Sequence, residues 1–388
     1  MTVQHNFDEI IDRSATDSSK WRKYPKDVLP MWVADSDFRC PRPVVDAVTR
    51  VAADGVYGYP FADDDAFNRA TARWMSRRFG WDIDQSLVDY VPSLGTALAV
   101  AVKAFTQKGD NVLMQTPIYP PFGDVTKYNE RHTVRSSLVW RDGRYHIDFD
   151  DFERLAADPK TKLFLLCNPH NPTGRVFTVG ELRRMGDICL KHNVTIFSDE
   201  IHCDYVFPGA RHVPLPTVSP EIARITVVGI NPSKTFNIAG MRTAAAISCA
   251  AETRAAFRKA LLSCKLGRSL FGTLAYVTAY NECDDYADQV CRYVEGNIDY
   301  AVSFLNEKVR KIKTYKPEAT FLLWLDCRGL GLTQPELEAF FLEKAKVGLN
   351  TGTSFGLEGE GFMRLNTACP RATLEEGLRR LEQAVAAL

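Results

Sequence analysis

The chain has 388 residues, 45% of them apolar and 25% charged, with 48 Lys plus Arg against 48 Asp plus Glu. That length suits roughly two or three domain-sized units with a buried core, and the even charge lacks the basic excess of a nucleic-acid binder. The ten Cys include no C-x-x-C pair and no His/Cys cluster at metal spacing, so neither a disulfide scaffold nor a metal site is expected, and reduced thiols in a cytosol fit better. Residues 1–9 carry no basic stretch followed by an apolar one, so no signal peptide is expected. The apolar run Phe321 to Leu325 is far short of the ~18 residues that cross a bilayer, and no membrane contact is expected.

Residues 1–45 are punctuated by Pro25, Pro30, Pro41 and Pro43, which excludes a long helix. Between them Leu29 to Phe38 reads as an arm laid across something else, either lining a cleft or simply packed on a surface. Val44 to Ala53 has helical spacing. Val56-Tyr57-Gly58-Tyr59-Pro60 is a turn with two aromatics, and Phe67 to Phe79 a helix closed by Gly80. Ser93 is placed to cap a helix whose apolar face is Ala97, Val100, Ala101 and Ala104. Small residues at such a start are either a plain capped turn or an anion site.

From residue 110 strands and helices alternate. Asn111 to Gln115, Lys162 to Cys167, Val194 to Ser198 and 224–230 read as strands, with a helix over about 178–192, and Thr243 to Ser248 reads as a further strand. Such alternation predicts an α/β unit with a mainly parallel sheet covered on both faces. Polar, chemically varied turns follow these strands: Thr116 to Pro121, Asn168 to Gly174, Asp199 to His202, and Asn231 to Arg242. Ligands of open α/β sheets bind at the carboxyl ends of strands, which places Lys234 to act as a reacting amine and Arg242 as an anion clamp. A Lys after one strand is by itself more often a solvated loop residue; the repetition of loaded turns argues otherwise. Beyond about residue 275 the pattern predicts a long helix over 284–308, a strand-like Ala319 to Leu325, a helix over 335–346, a Gly-rich loop over 348–361, a strand Phe362 to Asn366 and a terminal helix over 373–387. This is a smaller α+β unit. The expected division is an arm over 1–48, a large unit over 49–275 and a small one over 276–388.

A pyridoxal phosphate site needs a Lys to form a Schiff base, a carboxylate to keep the pyridine nitrogen protonated, an aromatic to stack on the ring, donors for the phenolate oxygen and an anion site. The chain offers Lys234; Asp199; Tyr119; Asn171 and His202; and Arg242 with the helix start at 94–96.

The runs Asn168 to Gly174, Asp199 to His202 and Ser233 to Gly240 resemble the class I/II aminotransferase superfamily of fold-type I pyridoxal enzymes over essentially the whole chain. Trp32 to Phe38, Thr116 to Phe122, Ser233 to Gly240 and Phe362 to Arg371 are further similar to the MalY/PatB-type carbon–sulfur lyases, the cystathionine β-lyase group. The resemblance implies that Lys234 is the Schiff-base lysine, Asp199 the pyridinium partner, Asn171 a phenolate donor, with His202 where related enzymes have a Tyr, and Tyr119 the stacking ring. It places the phosphate at Ser233, Arg242 and the backbone of Leu94 and Gly95. Arg364 would fork the substrate α-carboxylate, with Ala34 beside the substrate, and Tyr59 would reach in from the second subunit of a homodimer. Two departures, Ser36 where that group has Met and the Ser93-Leu94-Gly95-Thr96 turn, bear on the pocket and the phosphate cup.

The implied reaction is Cβ–S elimination from cystathionine or related cysteine conjugates. An aminotransferase shares every early step and stays open, a racemase is a weaker option, and a regulatory binding protein on the same fold is the reading from another class. Asn168, Glu200 and Asp35 read as structural or supporting, His170 has no assigned role, Trp32 and Phe38 read as walls, and Tyr57 as a core aromatic. His202 and Tyr59 retain packing alternatives.

Overall fold

The structure is a computed structural model that describes residues 3–60 and 64–388. Seven strands form its main sheet: β1 (Val88–Val91), β2 (Asn111–Thr116), β3 (His132–Ser137), β4 (Thr161–Cys167), β5 (Thr195–Asp199), β6 (Thr226–Ile230) and β7 (Ala244–Ser248). Their order is β1-β7-β6-β5-β4-β2-β3. Only β7 runs against its neighbours; the β2, β3, β4, β5 and β6 pairings are parallel.

The continuous apolar runs of β2, β4 and β6 follow from burial on both faces. Along β4 alternate residues enter different cores. Leu163 and Leu165 pack with Leu98, Ala101 and Phe257 of the helices Leu94–Phe105 and Ala251–Ser263. Phe164 and Leu166 pack with Phe152 and Leu182 of Phe149–Ala156 and Val179–Lys191 on the other side. With one strand reversed, the carboxyl ends of β1, β2, β4, β5 and β6 share one edge, and every expected polar turn projects there.

A second sheet holds β8 (Leu322–Asp326), β9 (Asn350–Thr351) and β10 (Phe362–Asn366), antiparallel in the order β8-β10-β9. The helix Asp284–Lys308 buries the stripe Val290, Val294, Ile298, Ala301 and Leu305, and its buried Asn297 donates to the Thr367 and Cys369 carbonyls just past β10. The arm is sewn to this unit through its backbone. Leu29-Pro30 pairs in parallel with Val347-Gly348, and Asn366 N donates to Met31 O.

The structure departs from the sequence-based expectation in several elements. The helix expected over 335–346 is Gln334–Ala339 continued by a π-helical turn, Phe340–Lys344. The Gly-rich stretch over 348–361 contains β9 and two 3₁₀ turns, Gly352–Phe355 and Leu357–Gly359. β1, β3 and the helices Ala251–Ser263 and Leu270–Glu282 add elements to the pattern. Residues 48 and 275, the expected unit boundaries, lie inside the helices Arg42–Asp54 and Leu270–Glu282.

Candidate active site

Two neighbouring strands deliver the central pair. β5 ends on Asp199, in register with Gly229 of β6, and β6 runs on into Asn231 to Lys234. The Asn231 Oδ1 accepts from Ser233 N at 2.8 Å, and Phe236 N closes onto Pro232 O, so the turn holds its own shape. Tyr205 Oη donates to the Lys234 carbonyl. Lys234 Nζ then reaches back to the arm and donates to Ala34 O at 2.5 Å. Burial lowers the amine to about 8, opposed by the Asp35 carboxylate and reinforced by Arg364. Burial likewise raises the Asp199 carboxyl to about 7, against the pull of the Ile201 N–H on its Oδ1 and of Lys234.

Arg364 comes from β10, opposite Trp324 of β8. It is fully buried; its Nη1 donates to Asn171 Oδ1 and its Nη2 to Trp32 O, both at 3.0 Å, and its guanidinium lies 4.9 Å from the Phe355 ring centre. Burial pulls it down to about 10. His202 is buried with its ring edge-on to Phe321, and burial with Lys234 and Arg364 nearby holds it neutral, well below the usual histidine range. Tyr119 follows β2; it is 38% exposed, and burial of its hydroxyl raises that group, with Arg364 and Asp199 both acting on it.

Lys234, Asp199, Asn171, His202, Tyr119, Arg364 and Ala34 thus come together. Beside them, Ser93 Oγ accepts from Thr96 N at 3.1 Å and starts the helix Leu94–Phe105. Leu94 packs against Gly229, where an added Cβ would sit 2.9 Å from Leu94 Cδ2. The first turn, with Leu94 and Gly95, therefore adjoins the register partner of Asp199. Ser233 is buried in its turn. Arg242 is exposed at left-handed φ, and its carbonyl accepts from Tyr90 Oη; Tyr59 is wholly exposed in the single chain.

Glu200 is fully engaged by Ser198, His212 and Leu215 N, and Asn168 Oδ1 accepts from Phe177 N, so both shape the fold. His170 Nδ1 and Thr173 Oγ1 lie 2.8 Å apart. Ser36 is buried, and its carbonyl accepts from Arg13 and from Asn237. Two residues that the motifs contain but sequence reasoning passed over position the arm. Asn366 Nδ2 donates to Val33 O and Asp35 O, and Asn237 Nδ2 to Ser36 O and Phe38 O. Their signal is an Asn in each of two motifs already singled out, close to Arg364 and Lys234. Asp35, expected as structural or supporting, does more: its Oδ1 is buried without a hydrogen-bond partner among the described residues, and its charge acts directly on Lys234.

The residues fit a pyridoxal group. His202 Nδ1 and Arg364 Nε are buried and unpartnered among the described residues, and Asp199 is held near neutrality by burial. A basic ring nitrogen would answer Asp199, and a carboxylate would answer Arg364. These are the demands of a cofactor that reacts with amino acids.

Fold and site together define a fold-type I pyridoxal phosphate enzyme. The model of the family described as Aminotransferase class I and II matches residues 26–381, and the chain belongs to that family. Among its relatives, cystathionine beta-lyase PatB of Bacillus subtilis (strain 168) is 42% identical over 98% of this chain and 100% of that protein. The crystal structure of cystalysin from Treponema denticola, which contains pyridoxal 5'-phosphate, superposes with a TM-score of 0.95 at 32% identity, covering 99% of this chain and 100% of that one. The pyridoxal phosphate-bound C–S lyase of Staphylococcus hominis does so with a TM-score of 0.92 at 30% identity, covering 98% and 99%.

Proposed function

We propose that the protein is a pyridoxal phosphate-dependent carbon–sulfur β-lyase that converts L-cystathionine or a related L-cysteine S-conjugate, with water, into pyruvate, ammonia and a thiol. The observation that carries the lyase reading is the full-length 42% identity to a cystathionine β-lyase. The convergence of Lys234, Asp199 and Arg364 supports the cofactor and the amino-acid substrate, which an aminotransferase would share. The cofactor, when bound, supplies an electron-poor ring that takes up the electron pair left at Cα as its proton departs.

Lys234 would hold the cofactor covalently and, once freed, move the Cα proton. It must be neutral to do so, and burial has already brought it to about 8. Asp199 would pair with the ring nitrogen, Asn171 and His202 with its oxygen, and Tyr119 would cover its face. Ser233, Arg242 and the first-turn N–H groups at Leu94 and Gly95 would take the phosphate, since a helix N-terminus favours an anion. Arg364 would bind the α-carboxylate with its unpartnered Nε–H and a remaining Nη N–H, one N–H of each Nη being fixed to Asn171 or Trp32. Tyr119, or Tyr59 of a second copy, would protonate the departing sulfur.

Val56, Tyr57 and Tyr59 are all exposed in the single chain, which supports a homodimer that shares its sites. All ten Cys are unpaired, which supports a cytoplasmic location; among the described residues no helix is long and apolar enough to cross a membrane.

The test is an anaerobic assay of holoenzyme with L-cystathionine. Pyruvate and free thiol are expected in equal amounts, and Lys234→Ala is expected to make neither. Keto acid formation from Ala and 2-oxoglutarate, faster than pyruvate release from cystathionine, would instead make the protein an aminotransferase.

A further inference from the structure

A cavity of about 760 Å³ lies between the hairpin formed by Val139–Arg141 and Arg144–His146 and the pair β8 and β10; none of the expected cofactor residues lines it. Its volume falls within the range of small-molecule sites. Its wall is aromatic. Trp140 is 45% exposed at the mouth, although its ring packs 5.0 Å from Tyr145 and 4.8 Å from Tyr315, centre to centre. Deeper in, Trp324 lies stacked 5.2 Å from Phe362 and donates its Nε1–H to Tyr145 Oη at 3.1 Å. A half-exposed Trp beside further rings leaves an aromatic face for a flat ligand.

The charges at this cavity do not cancel. Of its two acids, Asp326 is forked by Arg328 at 2.9 and 2.7 Å, and Glu358 Oε1 accepts from Thr116 and Ser137. Arg310 and Lys313 also line it, and neither forms a salt bridge with an acidic side chain among the described residues. Glu358 keeps its charge and Lys313 acts on Asp326, so the positive excess is the formal one of Arg310, Lys313 and Arg328 over Asp326 and Glu358.

The wall also touches the candidate active site. Trp324 sits opposite Arg364 in the β8–β10 register, and the Phe355 ring has Trp324 edge-on at 5.4 Å and the Arg364 guanidinium at 4.9 Å. Ligand pressure on Trp324 thus has a two-residue path to the group expected to bind the α-carboxylate.

We propose that this cavity is an effector site for a planar aromatic anion, whose ring stacks on Trp140 and whose carboxylate or sulfonate meets Arg310 and Lys313, and whose occupancy alters amino-acid affinity at Arg364. The coupling half rests on the pyridoxal phosphate reading; the binding half does not.

The test uses indole-3-acetate as the probe, with tryptamine as the cationic control, in calorimetric titrations of the holoenzyme. One saturable site is expected for indole-3-acetate and none for tryptamine. Affinity should fall at least about tenfold in Trp140→Ala and in Lys313→Glu, both of which change exposed side chains. Coupling is then read by titrating L-alanine and following the visible absorbance of the bound cofactor. Indole-3-acetate should shift its affinity about fivefold in the wild type and leave it unmoved in Trp140→Ala. The absence of a saturable site, equal binding of tryptamine, or unchanged binding in both variants would overturn the site; an unshifted L-alanine affinity would overturn the effector role. A protein with no cofactor absorbance would refute the pyridoxal phosphate reading and the coupling built on it, while titration of that same protein would still decide the cavity.

Discussion

Burial moves Lys234 and Asp199 in opposite directions, and in both it opposes the charged form. The consequence for stability can be followed in sign. Asp199 has a folded-state value of about 7 against 3.8 in the open chain, so its contribution is full below about pH 3.8 and is lost as pH rises through about 7. Lys234, lowered from 10.5 to about 8, makes stability rise with pH across that interval. Cofactor-free Asp199→Asn should therefore be more stable than the cofactor-free wild type at pH 8, by no more than a few kcal/mol. The difference should vanish near pH 4, as urea midpoints at the two pH values would reveal. The same substitution should cut turnover by at least about 100-fold, because a neutral amide cannot balance a protonated ring nitrogen. Gain of stability with loss of activity marks a group held for function. Arg364 is a matter of geometry as well as charge. Its Nη groups are fixed to Asn171 and Trp32 while Nε stays unspent. In Arg364→Lys a single ammonium must choose among three partners. KM for the amino acid should rise about 10- to 100-fold, the loss of a hydrogen bond to a charged group, with kcat less affected. Steady-state kinetics separate the two parameters.

The elements that were legible in the sequence are those whose burial leaves an apolar signature. β4 and β6 are interior parallel strands and read as unbroken apolar runs, and Asp284–Lys308 has a one-sided stripe. β3 is an edge strand with the polar sequence His132-Thr133-Val134-Arg135-Ser136-Ser137, and Ala251–Ser263 buries only Phe257, so neither repeats at a clear period. Leu270–Glu282 is buried on several sides, which erases amphipathic contrast. The motif side chains of the site were legible as well. An arm lining a cleft was one of two options there, but its hydrogen bonds were not legible, since the arm offers the backbone carbonyls of Trp32, Val33, Ala34 and Ser36, and carbonyls leave no mark in a sequence. One glycine links sheet and cup at this scale. An alanine at Gly229 would place its Cβ 2.9 Å from both Leu94 Cδ2 and Phe197 Cζ, so the first turn of Leu94–Phe105 or the Phe197 ring must shift. Strain of this kind commonly costs about 1–3 kcal/mol. Gly229→Ala should fold, and should release pyridoxal phosphate about tenfold more readily in equilibrium dialysis. Unchanged retention would show that the Phe197 ring gives way in place of the Leu94 turn or that the turn does not carry the phosphate.

For the molecule as a whole, the question is whether one chain suffices. Its formal net charge is zero, so two copies meet without long-range repulsion. Val56, Tyr57 and Tyr59 stand in the solvent of the single chain, yet Tyr57 is tied to its own chain by Phe271 at 5.6 Å and by a hydrogen bond to Ala52 O. Tyr59 is wholly exposed, and an unburied Tyr beside an apolar turn suits a partner's surface. In a twofold dimer each Tyr59 would complete the site of the other chain. Complementation separates this from a Tyr59 that serves its own Lys234. Tyr59→Phe and Lys234→Ala chains, each inactive or weakly active alone, are co-expressed with different tags so that mixed dimers can be isolated. If Tyr59 crosses over, the mixed dimer contains one site with both an intact Lys234 and an intact Tyr59. The isolated mixed dimer should then have about half of wild-type activity, and the unfractionated mixture, in which random mixing makes about half of all dimers mixed, about a quarter. If Tyr59 acts within its own chain, every site in the mixture lacks one of the two groups. Activity then stays at the average of the parents weighted by the ratio of chains.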